Sequence, residues 1–163
     1  MDTAWNLAQN LVRIDSSDPG AYEGRIEQYI KSLVEARIAK MPAELAAAIG
    51  VEELEALPDR RNLMVTVPGT SDEPRLVYIC HMDTVTLGEG WSEGISPLGA
   101  QVIGDDLYGR GSCDMKGGLS CALSALFSLL GRVAGKKRLP RRGFSLICSV
   151  DEEDFMRGVE AAI

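Results

Sequence analysis

Two strand-length apolar runs, Leu76–Cys80 and Phe144–Val150, constrain the fold of this chain more than any other feature. Runs of this kind suit strands covered on both faces better than the alternating pattern of a half-exposed sheet. Between them, Leu119, Ala122, Leu123, Leu126 and Leu130 recur at helical spacing, which predicts a helix over Gly117–Leu130. Upstream, Ile26, Ile30, Leu33, Val34 and Ile38 predict an amphipathic helix from about Tyr22 to Lys40, and Ala4–Ile14 reads as a shorter one ended by Asp15-Ser16-Ser17-Asp18-Pro19-Gly20. Leu63–Val67 alternates and stops at Pro68-Gly69, the signature of a strand. Helices alternating with apolar strands predict an α/β fold: a mixed, largely parallel sheet with helices on both faces.

The remaining segments are less regular. Pro42–Ile49 favours helix with Gly50 as its stop, while Val51–Leu57 fits either helix or a short strand. Gln101–Ile103 and Asp106–Tyr108 read as a small hairpin around Gly104-Asp105. Gly131–Gly143 carries Lys136, Lys137, Arg138, Arg141 and Arg142 and reads as a solvated basic linker. At 163 residues the chain is expected to form one domain.

Composition narrows the function. A formal net charge of −7 argues against nucleic acid or an anionic membrane as the main partner, because both require a basic face. The segment from Met1 to Trp5 lacks a signal-peptide pattern, and no apolar run read from the sequence reaches transmembrane length. Of four cysteines, Cys80, Cys121 and Cys148 lie in apolar surroundings and none forms a C-x-x-C pair. Buried, reduced thiols in a cytoplasmic protein are therefore expected.

Chemistry concentrates at three places. His81-Met82-Asp83 follows the first apolar run, and Asp151-Glu152-Glu153 follows the second. In open α/β sheets, functional groups gather just past the carboxyl ends of strands. The third place is Tyr108–Gly118, Y-G-R-G-S-C-D-M-K-G-G, a glycine-rich loop around Asp114 that runs into a helix. Singly, each has an ordinary explanation: a structural histidine, a solvated acidic turn, or a phosphate loop, although this one is neither G-x-G-x-x-G nor a Walker sequence. Together, one imidazole and several carboxylates make a nitrogen and oxygen donor set suited to zinc or a similar divalent ion.

The combination H-x-D-T-V, then G-R-G-x-x-D-M-K-G-G, then an apolar strand and D-E-E, resembles the zinc-dependent family that includes acetylornithine deacetylase, succinyl-diaminopimelate desuccinylase, aminoacylase and glutamate-releasing carboxypeptidases. Here these read His81–Val85, Gly109–Gly118 and Asp151–Glu153. The resemblance runs from about Trp5 to the last residue. It implies that His81 binds one metal and Glu153 the other, that Asp114 bridges two zinc ions, and that Asp83 holds the far nitrogen of His81. It also implies that Glu152 is the general base, taking a proton from a metal-activated water that attacks an amide carbonyl and returning it to the leaving amine. Cobalt or manganese could replace zinc. The substrate would be an N-acyl amino acid or small peptide, and the Asp114–Met115 peptide is expected to be cis.

The family pattern also has a later acidic ligand, a late histidine and a lid domain. None is present here, since His81 is the only histidine. The chain is therefore expected to be the first part of a catalytic domain, inactive alone, with apolar surface that favours a homo-oligomer or the missing C-terminal half as partner. The Met41–Leu57 stretch is expected as a surface insertion away from the metals. Two other readings stand beside the hydrolase. One is a non-catalytic scaffold of the same fold. The other is cysteine chemistry by Cys113 with His81, disfavoured because the neighbouring Asp114 would raise the thiol pKa.

Overall fold

The computed structural model describes residues 3–163, so the first two residues of the Met1–Trp5 segment lie outside it. Helix α1, Ala4–Val12, starts where Thr3 accepts the amide hydrogen of Asn6 on its hydroxyl. It is followed by α2, Gly24–Ile38, and the short α3, Ala43–Ala46. Strands β1, Gly50–Leu57, and β2, Arg60–Val67, come next, then β3, Leu76–His81. The hairpin β4, Gln101–Ile103, and β5, Asp106–Tyr108, forms as expected. Helix α4, Lys116–Lys136, strand β6, Phe144–Ser149, and helix α5, Arg157–Ala162, complete the order.

The main sheet has the order β1-β2-β6-β3. It is mixed, as expected, but not largely parallel: β3 and β6 run parallel, whereas β1–β2 and β2–β6 are antiparallel. Leu63, Val65, Val67, Cys80, Leu146 and Cys148 belong to one core with Ile26, Ile30 and Val34 of α2 and Leu119, Leu123, Leu126 and Leu130 of α4. Helix α1 packs on α4 through Leu7 and Leu11. Asn62 alternates to the opposite face from Leu63, where its amide group bonds the carbonyl of Gly158 in α5 at 2.6 Å. Helices therefore flank both faces.

Several elements depart from the sequence reading. Every residue of β6 is buried, as the apolar run predicts, but β3 is an edge strand with Leu76, Val77, Tyr78 and Ile79 all exposed. The two runs look alike in sequence, and only their places in the sheet separate them. Helix α4 continues six residues past Leu130 into the expected basic linker. A Cβ at Gly131 or Gly135 would meet nothing, and Val133 extends the buried stripe by one more turn. The helix ends at Lys137, whose φ of 51° places it in the left-handed region. At 21 residues, α4 is long and apolar enough by length and composition to cross a membrane, contrary to the sequence reading. Here its leucine stripe is buried in the core.

The Met41–Leu57 stretch lies mostly at the surface, as expected, but it is anchored to the core. Met41 and Ile49 enter the core, and Gly50 opens a strand rather than closing a helix. Pairing with β2 overrides the helix preference of Glu52, Glu53 and Glu55, and those charges suit a sheet edge. It lies on the opposite edge from β3, away from His81. Cys80 and Cys148 are buried and free as expected, whereas Cys121 is exposed, as is Cys113.

Candidate metal centre

Parallel pairing of β3 with β6 sets His81 opposite Ser149, so the two polar motifs leave the sheet side by side. The amide of Met82 continues the ladder to the Ser149 carbonyl at 2.8 Å. From the other side, the glycine loop brings Asp114 to the start of α4, with Met115 Sδ 3.3 Å from the His81 amide nitrogen. The Asp114–Met115 peptide is cis, as expected, and Asp18–Pro19 is cis as well.

His81 is buried, and its two ring nitrogens face different partners. Nδ1 lies 3.0 Å from the main-chain carbonyl of Asp83 and 3.6 Å from its carboxylate. Nε2 lies 3.0 Å from Asp114 Oδ1 and 3.6 Å from Glu152 Oε2. Asp83 thus fixes the imidazole chiefly through its carbonyl, leaving the carboxylate to act by charge. That carboxylate accepts the amide of Glu153 at 2.9 Å on Oδ2, while Oδ1 is buried without a hydrogen-bond partner. Asp114 is exposed on the solvent side of the group. With both ring nitrogens engaged, His81 has none to offer Cys113.

The electrostatics favour a cation. Burial alone would depress the His81 imidazole, but the hydrogen bonds to Asp83 and Asp114 and the charge of Glu152 outweigh it, to about 9. Burial pushes the Asp83 carboxyl up, but His81 and the amides of Glu153 and Glu152 hold it below the ordinary carboxylate range. Burial raises Glu153, partly offset by His81. One ligand atom each from His81, Asp114 and Glu153 lie within 4.8 Å of one another. The donor set and the spacing fit a divalent ion.

Residues other than the proposed ligands support this group, some from within the motifs and some, such as Arg60, that no sequence signal marked. Lys116 is fully buried and donates from Nζ to the Ile14 carbonyl at 2.7 Å, tying the start of α4 to the end of α1. Burial lowers its amine to about 8. Gly111, at φ +79°, lets the loop lie on this side chain: a Cβ there would meet Thr84 Cγ2 at 2.6 Å and Lys116 Cδ at 3.1 Å. On the far side, Arg60 joins Asp18, Glu23 and Asp151, and Arg157 also grips Asp151. Arg60 and Asp151 are 91 positions apart, which is why no spacing pattern links them.

Comparison with known proteins agrees with this arrangement. Residues 77–163 match the model of Peptidase family M20/M25/M40. A succinyl-diaminopimelate desuccinylase of Methylobacterium radiotolerans is 35% identical over 132 residues, covering 80% of this chain and 31% of that protein. One from Rhodopseudomonas palustris is 30% identical over 154 residues, covering 93% and 36%. The chain spans about a third of the length of these curated relatives. Among solved structures, the M20 family metallo-carboxypeptidase Sso-CP2 of Sulfolobus solfataricus superposes with a TM-score of 0.72 at 20% identity, covering 94% of this chain and 32% of that one. A dinuclear metal binding peptidase from the M20 family in Bacillus subtilis gives 0.56 at 13% identity, covering 98% and 38%. At these identities the superpositions speak for the fold, and the family match, which takes in Asp83, Asp114 and both glutamates of D-E-E, speaks for kinship. The chain belongs to peptidase family M20/M25/M40.

Proposed function

We propose that the protein carrying this chain is a metal-dependent amide hydrolase acting on N-acyl amino acids or small peptides. The observation that carries this reading is the convergence of His81, Asp114 and Glu153, drawn from three separate segments, with Glu152 beside them. His81 and Glu153 would each hold an ion and Asp114 would lie between two. Zinc is the ion proposed, with cobalt or manganese as substitutes. When bound, such ions lower the pKa of water and polarise an amide carbonyl.

The chain's own residues supply the remaining chemistry. Asp83 keeps the His81 Nδ1 occupied, so Nε2, which faces the carboxylates of Asp114 and Glu152, is the nitrogen turned toward the proposed metal position. Glu152, within 3.6 Å of that nitrogen and partly open to solvent, takes a proton from the attacking water and delivers it to the departing amine. The names of the curated relatives support an acylated amino acid as substrate. The free, buried thiols Cys80 and Cys148 support a cytoplasmic protein. The 163 residues alone are proposed to hold metal through three side chains but to turn over little substrate.

Metal analysis and hydrolysis of an N-succinyl amino acid test the reading. Zinc uptake should be lost in H81N and E153Q. In the longer protein, E152Q should keep its zinc and lose about 10²–10⁴ in kcat. Full turnover by E152Q, or zinc uptake indifferent to H81N and E153Q, would overturn the proposal. Ordinary turnover by residues 1–163 with zinc would overturn the inactivity of the chain alone.

A further inference from the structure

We propose that Arg60 is a positioning residue for the metal centre, holding the Asp151–Glu153 turn in place through a buried carboxylate cluster. The inference rests on the metal-hydrolase reading above. Glu152 and Glu153 lie in a turn that leaves the sheet after Ser149, and Asp151 begins it at a left-handed φ of 64°. Such a conformation persists in a non-glycine residue only when its surroundings hold it. Here the Asp151 side chain is fully buried and every polar group of the residue has a partner. Its amide donates to Glu23 Oε1 at 3.1 Å, and its carbonyl accepts the Met156 amide at 2.6 Å. Its carboxylate receives Arg60 Nη1 at 3.1 Å, with Arg157 Nε at 2.6 Å and Nη2 at 2.7 Å.

Arg60 ties this turn to the rest of the molecule. Its Nε and Nη2 reach the two oxygens of Glu23 at 2.8 and 2.5 Å, and Nη2 also reaches Asp18 Oδ2 at 2.6 Å. The guanidinium lies 4.6 Å over the Tyr22 ring. A planar fork satisfying several carboxylates at once is a geometry that arginine provides and lysine does not. The Arg60 side chain is 13% exposed against 40% for Arg157, so Arg60 is the inner cation of the pair. Carboxylate oxygens of Asp18, Glu23 and Asp83 lie within 4.8 Å of one another. Without the guanidinium these three charges would repel across a buried space. Asp83 in turn holds the Glu153 amide and the His81 ring. The cluster therefore borders the ligand set on two sides, at Asp151 and at Asp83, and Arg60 itself touches none of the proposed ligands.

Cobalt(II) titration of the chain, followed by its visible absorption, tests this, with circular dichroism to confirm folding. R60M and E23Q should bind cobalt about 10–100-fold more weakly with an altered spectrum, the usual consequence of removing a group that orients metal ligands. R60K, which keeps the charge but not the fork, should fall between. D18N removes a contact to the same arginine but none to the turn, so it should stay within about threefold of the unmodified chain, below that range. Unchanged affinity and spectrum in folded R60M and E23Q, with E153Q losing cobalt, would overturn the role of Arg60 alone. Equal weakening by D18N and E23Q would also overturn it, since generic loosening would then suffice. Should R60M fail to fold, R60K against D18N decides, and R60K binding cobalt as tightly as D18N would overturn the role of the Arg60 fork. Cobalt binding unaffected by E153Q, or absent from the unmodified chain, would overturn the metal reading itself, a separate failure.

Discussion

Replacing Glu27 by Gln should make this protein more stable at pH 8 while changing little at pH 5. Glu27 sits on the core side of α2 and is buried, yet its Oε1 has no hydrogen-bond partner. Its other oxygen accepts Gln28 Nε2 at 3.1 Å, and the same amide reaches Glu53 at 3.2 Å on β1. Glu53 is held charged by Lys31 at 2.5 Å, so Glu27 is the member of the pair that keeps a proton. Burial first, and then the hydrogen bond to Glu53, raise the Glu27 carboxyl from 4.5 to about 7. A raised carboxyl contributes its full stability below 4.5, where it is protonated in both states, and loses it as pH climbs through about 7. The span corresponds to a ceiling of about 3 kcal/mol, and screening by Lys31 and solvent reduces the expected loss to about 1–3 kcal/mol. Urea unfolding of both proteins at the two pH values measures it. E27Q should match the unmodified protein at pH 5 within about 1 kcal/mol and exceed it by about 1–3 kcal/mol at pH 8. A difference that is the same at both pH values would refute the argument that a buried, proton-holding Glu27 limits stability.

Two further substitutions probe packing and the open sheet edge. A Cβ at Gly158 would meet the Val150 carbonyl at 2.2 Å and Asn62 Oδ1 at 2.8 Å, while Asn62 also accepts the Val150 amide at 3.1 Å. Gly158→Ala should therefore destabilise by about 1–3 kcal/mol in urea, and an unchanged midpoint would show that α5 yields freely. The edge strand β3 exposes Leu76 and Tyr78 beside a groove of about 530 Å³ lined also by Met115, Ala125, Leu129 and Phe144. An uncharged strand edge of this kind pairs readily with another chain, so Tyr78→Lys should shift sedimentation of a concentrated sample toward monomer. A chain that sediments as a monomer before the substitution would remove the reason to expect association.

Most of the candidate site was legible in sequence because its residues come as short motifs at strand ends, and those positions are dictated by local structure. An apolar run that becomes a strand must release its next polar residues at the sheet edge, so His81, Asp83, Glu152 and Glu153 could be placed without coordinates. The loop around Asp114 carries its own glycine pattern. Helices α2 and α4 were legible from periodicity alone, because a buried stripe repeats every three or four residues. Where that local logic was incomplete, the reading stopped short: α4 passes Gly131 and Gly135 because Val133 still has a core to enter.

Tertiary structure decided what depends on neighbours distant in sequence. Two similar apolar runs became one fully buried central strand and one exposed edge strand, since exposure is a property of sheet order and not of residues. The glutamate-rich Val51–Leu57 became a strand because β2 offered a ladder to join. The Arg60 cluster, spanning Asp18 to Asp151, exists only after α2, β2 and the turn beyond β6 meet. Apart from Asp151, its charges are scattered along the chain with no period or motif, and burial converts them from ordinary surface residues into a frame for the turn that carries Glu152 and Glu153.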